Sequence, residues 1–387
     1  MKKLLSVIAL SLCLLHLNGQ RVGIGTNTPD TSAILDIRST SKGVLLPKVH
    51  LTSLFDTITV PRPAVALLVY NTNNILYDGA GYYVWNGNNW EVLISTGNAF
   101  KRGKNKYLTI VDGDIREYIV HTPKNYDALQ PTPVVFMLHG TSGDGEKMYT
   151  ISGWKEVGDD ENILTVFPSS WRYQINTNGD IKTTTKWNVY PDAEWTFMPG
   201  ETGRDDIKFL NRIITELKLR FNVDTNRIYL EGFSNGGQMA AKCAIEMGNK
   251  LAAVVENSGS FYIDSVYTPV RKLPVMFQIG NEDFGPGVAL PPVDLSNFET
   301  LLHTPGTYYY NVKRAHCRNF SLDTNFIISG SNLVAKVADF AGTPGDTLNV
   351  FKMILVKGLG HKFPNGENHW MEGAVQHWAW MRRFRKP

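Results

Sequence analysis

The chain has 387 residues, more than one typical domain requires, and 43% of them are hydrophobic, enough for a large core. The 39 lysines and arginines nearly balance the 36 aspartates and glutamates, so the formal net charge is only +3. A nucleic-acid partner usually requires a clustered basic face, and this balance argues against one. After the N-terminus, no hydrophobic run reaches the length of a transmembrane helix.

The first residues, MKKLLSVIALSLCLLHLNGQ, have the parts of a secretory signal peptide. Lys2 and Lys3 form a basic start, and residues 4–17 form an apolar run that is short for a membrane-spanning anchor. Gly19 offers a small residue for cleavage. We therefore predict a signal peptide over residues 1–19 and an exported protein that is secreted, periplasmic or held at the cell surface.

Residues 20–97 are rich in Thr, Asn, Gly and Val and contain short β-type runs without a helical period. Asn86-Gly87 follows one such run and is a strong hairpin signal. The stretches RVGIGTNTPDTSAILDIRSTSKGVLLP, LLVYNTN and YYVWNGNNWEVL resemble an N-terminal module of exported bacterial surface proteins, similar to tail-fibre and adhesin segments. The resemblance implies a β-rich module that contacts the cell surface or other proteins. The polar residues 98–106 are predicted to form a linker.

Residues 107–387 alternate between strand-like and helix-like segments. Residues 107–121 predict two strands with a turn at Asp112-Gly113, and the apolar run 133–138 predicts a strand buried on both faces. Between residues 205 and 221, apolar side chains recur at the 3.6-residue spacing of an amphipathic helix. This alternation predicts an α/β domain with a doubly wound, mostly parallel sheet covered on both faces. Further strands are predicted at residues 163–167, 228–230, 252–255, 275–279 and 350–356.

The segment YLEGFSNGGQMA places a serine at a tight bend between a strand and a helix. Gly232, Ser234 and Gly236 fit the pattern G-x-S-x-G, which is typical of the nucleophile elbow of α/β-hydrolases. Glycine is needed on both sides because side chains there would clash in so sharp a turn. We predict that Ser234 is a nucleophile; the alternative is an ordinary glycine turn.

A serine nucleophile requires a base and an acid that orients the base. In this fold the chain order is Ser, Asp or Glu, then His, each in a loop after a strand. His361 follows the predicted strand 350–356 and is the predicted base. Asp283 follows the strand 275–279 and is the predicted acid, with the adjacent Glu282 as the alternative.

The same chemistry requires N–H donors for the oxyanion of the tetrahedral intermediate. One predicted donor is the backbone N–H of Asn235, the residue after the nucleophile. The second is the backbone N–H of Thr141, in the glycine-rich loop that follows the strand 133–138. His139 precedes the serine in the chain, and we interpret it as a structural residue of that loop.

Several aromatic residues lie in predicted loops at the open end of the sheet and are candidates for contact with a sugar or an aromatic acyl group. The alternative for each is packing of the loops themselves. The candidates are Trp187, Trp195 and Phe284.

Two cysteines remain after the signal peptide, Cys243 and Cys317, and the sequence leaves open whether they pair or remain buried thiols. His303, His316 and Cys317 match no metal-ligand spacing, so no metal site is predicted.

Several motifs occur together over about residues 107–380: LHGTSGDG, Asp205-Asp206 before IKFLNRIITELKLRFNVDTNRIYLEGFSNGGQMA, and GLGHKFP. Together they resemble the polyhydroxybutyrate depolymerase-like esterases and the feruloyl and acetylxylan esterases of carbohydrate esterase family one. The resemblance implies an α/β-hydrolase fold, a triad of Ser234, Asp283 and His361, and neither metal nor cofactor. Family members often have an acid loop H-G-T-x-D, whereas this chain has IGNEDF, so Glu282 stays open as the acid.

These observations predict a secreted serine esterase that acts on a polymer-linked ester, with feruloyl or acetyl groups on plant polysaccharide as the expected substrates. An extracellular polyhydroxyalkanoate depolymerase is the alternative substrate assignment, and a serine peptidase is the alternative reaction. In a different functional class, the chain would be a surface adhesin whose hydrolase domain is a non-catalytic scaffold.

Overall fold

The computed structural model describes residues 21–387 except residues 75, 77–78, 96–100, 178, 191–194, 262–265, 343–345 and 347. The predicted signal peptide therefore lies outside the described residues, as do residues 98–100 of the predicted linker. The chain divides after Pro47 into two units, which are described separately.

The first unit contains two short strands, β1 (Val22–Ile24) and β2 (Leu35–Ile37), which pair in parallel. Its aliphatic side chains are poorly covered within the unit: Ile34 is 80% exposed and Leu45 is 85% exposed. More than half of the surface of four others is also exposed, namely Val22, Ile24, Leu35 and Val44. These six side chains therefore leave exposed apolar surface on a short segment.

The second unit begins with a small sheet in the order β3 (Lys48–Val49), β4 (Leu68–Asn71), β5 (Gly81–Trp85) and β6 (Trp90–Ser95). β5 and β6 are antiparallel, and the Asn86 N–H donates to the carbonyl of Asn89 at 3.0 Å in the turn between them. The predicted hairpin is therefore confirmed. One face of the sheet packs on a small core that includes Trp85 and Trp90.

The remaining strands, in chain order, are β7 (Gly103–Val111), β8 (Asp114–Thr122), β9 (Thr132–Leu138), β10 (Leu164–Pro168), β11 (Trp171–Thr177), β12 (Asp180–Lys186), β13 (Trp195–Phe197), β14 (Val223–Phe233), β15 (Ala253–Asn257), β16 (Val275–Gly280), β17 (Leu322–Ser331), β18 (Ala335–Gly342) and β19 (Val350–Val356). Within the described part of the chain, ten of them form one sheet in the order β17-β18-β19-β16-β15-β14-β9-β10-β8-β7. The six strands from β19 to β10 are parallel, and two antiparallel strands extend each edge. β11, β12 and β13 form a separate three-stranded antiparallel sheet.

The helices are α1 (Gly145–Ile151), α2 (Trp154–Glu161), α3 (Asp206–Arg220), α4 (Asn235–Glu246), α5 (Phe298–His303), α6 (Tyr308–Phe320) and α7 (Gly373–Met381). They cover both faces of the large sheet. Because side chains alternate along a strand, Val134 and Phe136 of β9 contact the core beside α3, α4 and α6, whereas Val135 and Met137 contact the core beside α1, α2 and α7. The predicted doubly wound, mostly parallel sheet is confirmed.

The turn and linker predictions have different outcomes. Asp112 and Gly113 both have positive φ, 53° and 87°, as a tight turn between β7 and β8 requires. By contrast, β7 begins at Gly103, so residues 103–106 belong to the large sheet and not to the linker. Their polarity is that of an edge strand, in which outward-facing side chains meet water.

Candidate active site

Ser234 occupies the bend between β14 and α4. Its backbone is strained, with φ 56° and ψ −122°, and its N–H donates to the carbonyl of Asn257 at 2.8 Å. A Cβ on Gly232 would lie 1.9 Å from the Gly236 carbonyl oxygen, and one on Gly236 would lie 2.5 Å from the carbonyl oxygens of Leu138 and His139. The bend therefore has the geometry of a nucleophile elbow, and both glycines are sterically required.

Ser234, His361 and Asp283 form one hydrogen-bonded chain. His361 Nε2 lies 2.9 Å from Ser234 Oγ, and His361 Nδ1 lies 2.8 Å from Asp283 Oδ1. The ring nitrogen that faces the carboxylate must carry a proton, which leaves Nε2 as the acceptor of the serine hydroxyl. All three follow the C-terminal ends of parallel strands β14, β16 and β19, which bring them to one edge of the sheet.

The adjacent carboxylates Asp283 and Glu282 have different environments. Asp283 is only 7% exposed, and Oδ1 also accepts the Gly285 N–H at 3.1 Å. Glu282 is exposed, and its backbone N–H donates to the carbonyl of Leu359 at 3.1 Å. The structure therefore brings Asp283 and not Glu282 to His361.

The loop after β9 lies against the bend that holds Ser234. A Cβ on Gly140 would lie 3.0 Å from the Cβ of Ser234, so glycine permits this approach. The backbone N–H groups of Thr141 and Asn235 have no protein acceptor within the described residues, and Asn235 opens α4, whose N–H groups and dipole favour negative charge. This arrangement suits an oxyanion.

Trp187 is not a substrate-stacking residue. The side chain is 0% exposed, and its indole N–H donates to the His139 carbonyl at 2.8 Å. Its backbone N–H donates to Asn235 Oδ1 at 2.7 Å. The prediction of substrate contact is wrong because the tryptophan is buried where it joins the loop after β9 to the start of α4. The next residue, Asn188, donates its N–H to the buried carboxylate of Asp206 at 2.7 Å, which anchors the segment.

His139 is a structural residue in this geometry. Nδ1–H donates to the Gly140 carbonyl at 2.7 Å, and Nε2 accepts the Ser170 N–H at 2.9 Å. Both roles require the neutral ring. Burial lowers the pKa of His139 to about 4.

A cavity of about 830 Å³ lies beside Ser234 and His361. Its apolar wall includes four aromatic side chains, none of which was among the aromatic candidates predicted from the sequence. Phe363 lies close behind His361 in the chain, but Phe261 and Tyr308 come from distant segments that only the fold brings together. The four are Phe233, Phe261, Tyr308 and Phe363.

The other two aromatic candidates have different outcomes. Phe284 is half-buried beside Asp283 and does not line the cavity, whereas Gly285 and Pro286 do. It lies in the acid loop itself but outside the cavity lining, so its predicted contact with substrate is not supported by its position. Trp195 lies in β13, and its side chain is outside the described part of the structure.

Cys243 and Cys317 are buried free thiols, so no bridge joins them. His316 is buried against Glu256, with Nε2 3.2 Å from the carboxylate, and His377 is buried between Glu231 and Gln278. Among the residues that the structure describes, no group of three His, Cys, Asp or Glu side chains is arranged to hold a metal ion. The described helices include none long and apolar enough to cross a membrane.

Two family models match the chain. Residues 125–284 match phospholipase/carboxylesterase, a segment that holds Ser234 and Asp283, and residues 23–105 match a phage tail like trimerisation region. The first match confirms the predicted resemblance: residues 125–284 are similar to the phospholipase/carboxylesterase family. The second agrees with the resemblance of the N-terminal module to tail-fibre segments.

Curated relatives are named esterases. A bifunctional acetylxylan esterase/xylanase of Neocallimastix patriciarum is 26% identical over 49% of this chain and 25% of its own length. Feruloyl esterase D of Neurospora crassa is 28% identical over 39% of this chain and 48% of its own length. The chain therefore spans at most about half the length of these two relatives. An acetyl xylan esterase structure from Aspergillus awamori aligns with a TM-score of 0.46 at 15% identity, covering 69% of this chain and 94% of that one.

Proposed function

We propose that this chain is a serine esterase that hydrolyses carboxylic esters through Ser234, His361 and Asp283. The observation that carries the proposal is the continuous hydrogen-bonded chain from Asp283 Oδ1 through His361 to Ser234 Oγ, with 2.8 Å and 2.9 Å contacts. The matching carboxylesterase model and the esterase relatives support the same reaction.

The reaction follows from the geometry. Ser234 Oγ attacks the ester carbonyl while His361 Nε2 takes its proton, and Asp283 holds the ring and stabilises the imidazolium. The N–H groups of Asn235 and Thr141 hold the oxyanion of the tetrahedral intermediate. His361 then protonates the leaving alcohol, and water activated by the same histidine releases the acid from the acyl-enzyme.

The proposed substrates are feruloyl or acetyl esters of plant polysaccharide. The names of the relatives support this class, and the four aromatic side chains of the cavity wall supply surface on which a sugar or an aromatic acyl group packs. The predicted signal peptide supports export, since a polymer must be cleaved outside the cell.

The test is hydrolysis of methyl ferulate, acetylated xylan, p-nitrophenyl acetate and a polyhydroxybutyrate film by the wild type and Ser234→Ala. The proposal expects Ser234-dependent release from the ferulate or the xylan. Release from the film alone would transfer the assignment to a polyester depolymerase. A folded protein with no Ser234-dependent release from any ester would leave the adhesin scaffold as the better function.

For the N-terminal module we propose assembly of the chain into a trimer. The match to a phage tail like trimerisation region supports this, and so do the exposed aliphatic side chains of β1, β2 and their flanks. A segment this short cannot bury those side chains by itself. We therefore expect the same segment of other copies of the chain to pack against them.

A further inference from the structure

Asn281 is a buried asparagine at the start of the loop that carries Asp283. It follows β16 directly and is only 6% exposed. β16 pairs with β19, and the loop after β19 carries His361. Asn281 therefore lies where the loops that carry the acid and the base of the triad leave two neighbouring strands.

Each nitrogen and oxygen atom of Asn281 has a protein partner. Its backbone N–H donates to the Val356 carbonyl, and its backbone carbonyl accepts the Val293 N–H, both at 2.8 Å. In the side chain, Oδ1 accepts the Gly358 N–H at 2.7 Å, and Nδ2 donates to the Val293 carbonyl at 2.8 Å. Because one end of the amide must accept and the other must donate, these partners fix its orientation.

Oδ1 of Asn281 links its own loop to the loop after β19. Gly358 lies beyond the last residue of β19 and three residues before His361, and its φ of 72° favours glycine. The strand has ended there, so the acceptor of the Gly358 N–H is a side chain and not a neighbouring strand. The base loop is thereby attached to the residue that begins the acid loop.

Backbone contacts on either side of Asn281 hold the same two loops together. A Cβ on Gly280 would lie 1.7 Å from the Leu359 carbonyl oxygen, so glycine permits this approach. The same carbonyl accepts the Glu282 N–H at 3.1 Å. The side-chain bond of Asn281 therefore belongs to a set of contacts that fixes the spacing of the loops.

The other end of the Asn281 amide closes the loop that presents the acid. Asn281 and Val293 exchange two hydrogen bonds, so the two ends of the segment 282–292 are held beside each other. Asp283 lies near the first of these ends. The position of its carboxylate therefore depends on the asparagine as well as on β16.

We infer that Asn281 is a positioning residue that sets the distance between Asp283 and His361. This rests on the proposed esterase function and adds a residue on which its rate depends. The 2.8 Å contact between Asp283 Oδ1 and His361 Nδ1 joins side chains from the two loops that Asn281 connects. Asn281 does not line the cavity, so it acts through these loops and not on the substrate. A misplacement of about 1 Å between catalytic groups can cost on the order of 10²-fold in rate.

The test is steady-state kinetics of two Asn281 variants on p-nitrophenyl acetate. Asn281→Leu keeps a side chain of similar size and removes both side-chain bonds, so kcat is expected to fall roughly tenfold or more while KM changes by less than about threefold. Asn281→Asp keeps the acceptor for the Gly358 N–H and loses the donor to the Val293 carbonyl. A smaller fall in kcat, of about threefold or more, is expected for this variant.

Asn349→Leu is the matched control. Asn349 is 1% exposed, and its Nδ2 donates to the Phe320 carbonyl at 2.8 Å. It precedes β19 and therefore lies at the end of that strand opposite to His361. We expect its replacement to lower the midpoint of urea unfolding, as Asn281→Leu does, with kcat preserved.

The outcomes separate this inference from the esterase proposal. An equal fall in kcat in Asn281→Leu and Asn349→Leu would overturn the inference, because the loss would then follow from stability. An unchanged kcat in Asn281→Leu would also overturn it, and if that variant does not fold, an unchanged kcat in Asn281→Asp would do so. Absence of Ser234-dependent turnover in the wild type would instead be the failure of the esterase proposal, and the inference would fall with it.

Discussion

Two adjacent carboxylates differ in what they contact, and that difference is testable residue by residue. Asp283 orients His361, so Asp283→Asn is expected to lower kcat on a simple aryl ester by about 10³–10⁴-fold, because the amide favours the wrong imidazole tautomer. Glu282→Gln removes the same charge one residue earlier, from an exposed side chain, and is expected to change kcat by less than about threefold. Steady-state kinetics of both variants measures the contrast; a larger loss in Glu282→Gln would reverse the assignment of the acid.

His139 makes stability depend on pH in a predictable direction. Its pKa is near 6.5 in the unfolded chain and about 4 in the fold, because burial disfavours the charged ring. The unfolded state therefore binds the extra proton first, and stability present above pH 6.5 is lost as the pH falls toward 4. The loss attributable to this ring is about 2 kcal/mol at pH 5.

Urea unfolding at pH 7.5 and pH 5 checks this. His139→Gln keeps an amide that can donate and accept but does not titrate, so its stability is expected to fall less between the two pH values than that of the wild type. Equal losses in the two proteins would show that His139 does not contribute to the acid sensitivity.

Residues whose role depends on a local pattern could be predicted from the sequence. Ser234 and His361 were identifiable because the elbow and the loop after a strand are encoded within a few residues. The prediction that Trp187 contacts substrate was wrong, because its burial depends on contacts with His139 and Asn235, which are distant in the chain. Phe261 and Tyr308 were missed for the same reason: the sequence around each carries no signal of the cavity.

At the scale of elements, the segment after β12 joins the loop after β9, which bears Thr141, to the start of α4. Trp187→Phe keeps most of the packing but leaves the buried His139 carbonyl without its donor, at a cost of about 1–3 kcal/mol in the free energy of unfolding. Because that carbonyl lies in the loop that bears Thr141, kcat is expected to fall roughly tenfold or more with little change in KM.

Trp154→Phe is the matched control for this prediction. Trp154 is equally buried and donates its indole N–H to Glu231 at 2.9 Å, but it packs in the core on the opposite face of the sheet from Trp187. We expect a loss of stability with kcat preserved. If both variants reduced kcat to the same extent, the effect of Trp187 would be one of general stability and not of positioning.

The central strands were predictable because parallel strands buried on both faces are continuous apolar runs, as in β9 and β16. The edge strands of the sheet were harder to predict. Residues 103–106 of β7 were predicted to be part of a linker because an edge strand carries polar side chains. The other edge strand, β17, is mostly exposed along its length. The sheet therefore extends beyond what periodicity alone indicates.

For the whole molecule, the division after Pro47 predicts that assembly and catalysis can be separated. Residues 48–387 retain the small sheet and the entire candidate site, so this shortened chain is expected to keep its kcat on a soluble aryl ester. Residues 20–387 are expected to sediment as a trimer, and the shortened chain is expected to sediment as a smaller species. Analytical ultracentrifugation measures this; a monomer at micromolar concentration for the longer chain would contradict the proposed assembly.

The central claim is that Ser234 is an activated nucleophile. The most direct measurement is incubation of residues 20–387 with a fluorophosphonate, followed by intact mass spectrometry and peptide mapping. The account predicts one adduct per chain on Ser234, fast in the wild type, strongly slowed in His361→Ala and absent in Ser234→Ala. A folded wild-type protein that stays unmodified, or that is modified equally fast without His361, would contradict it.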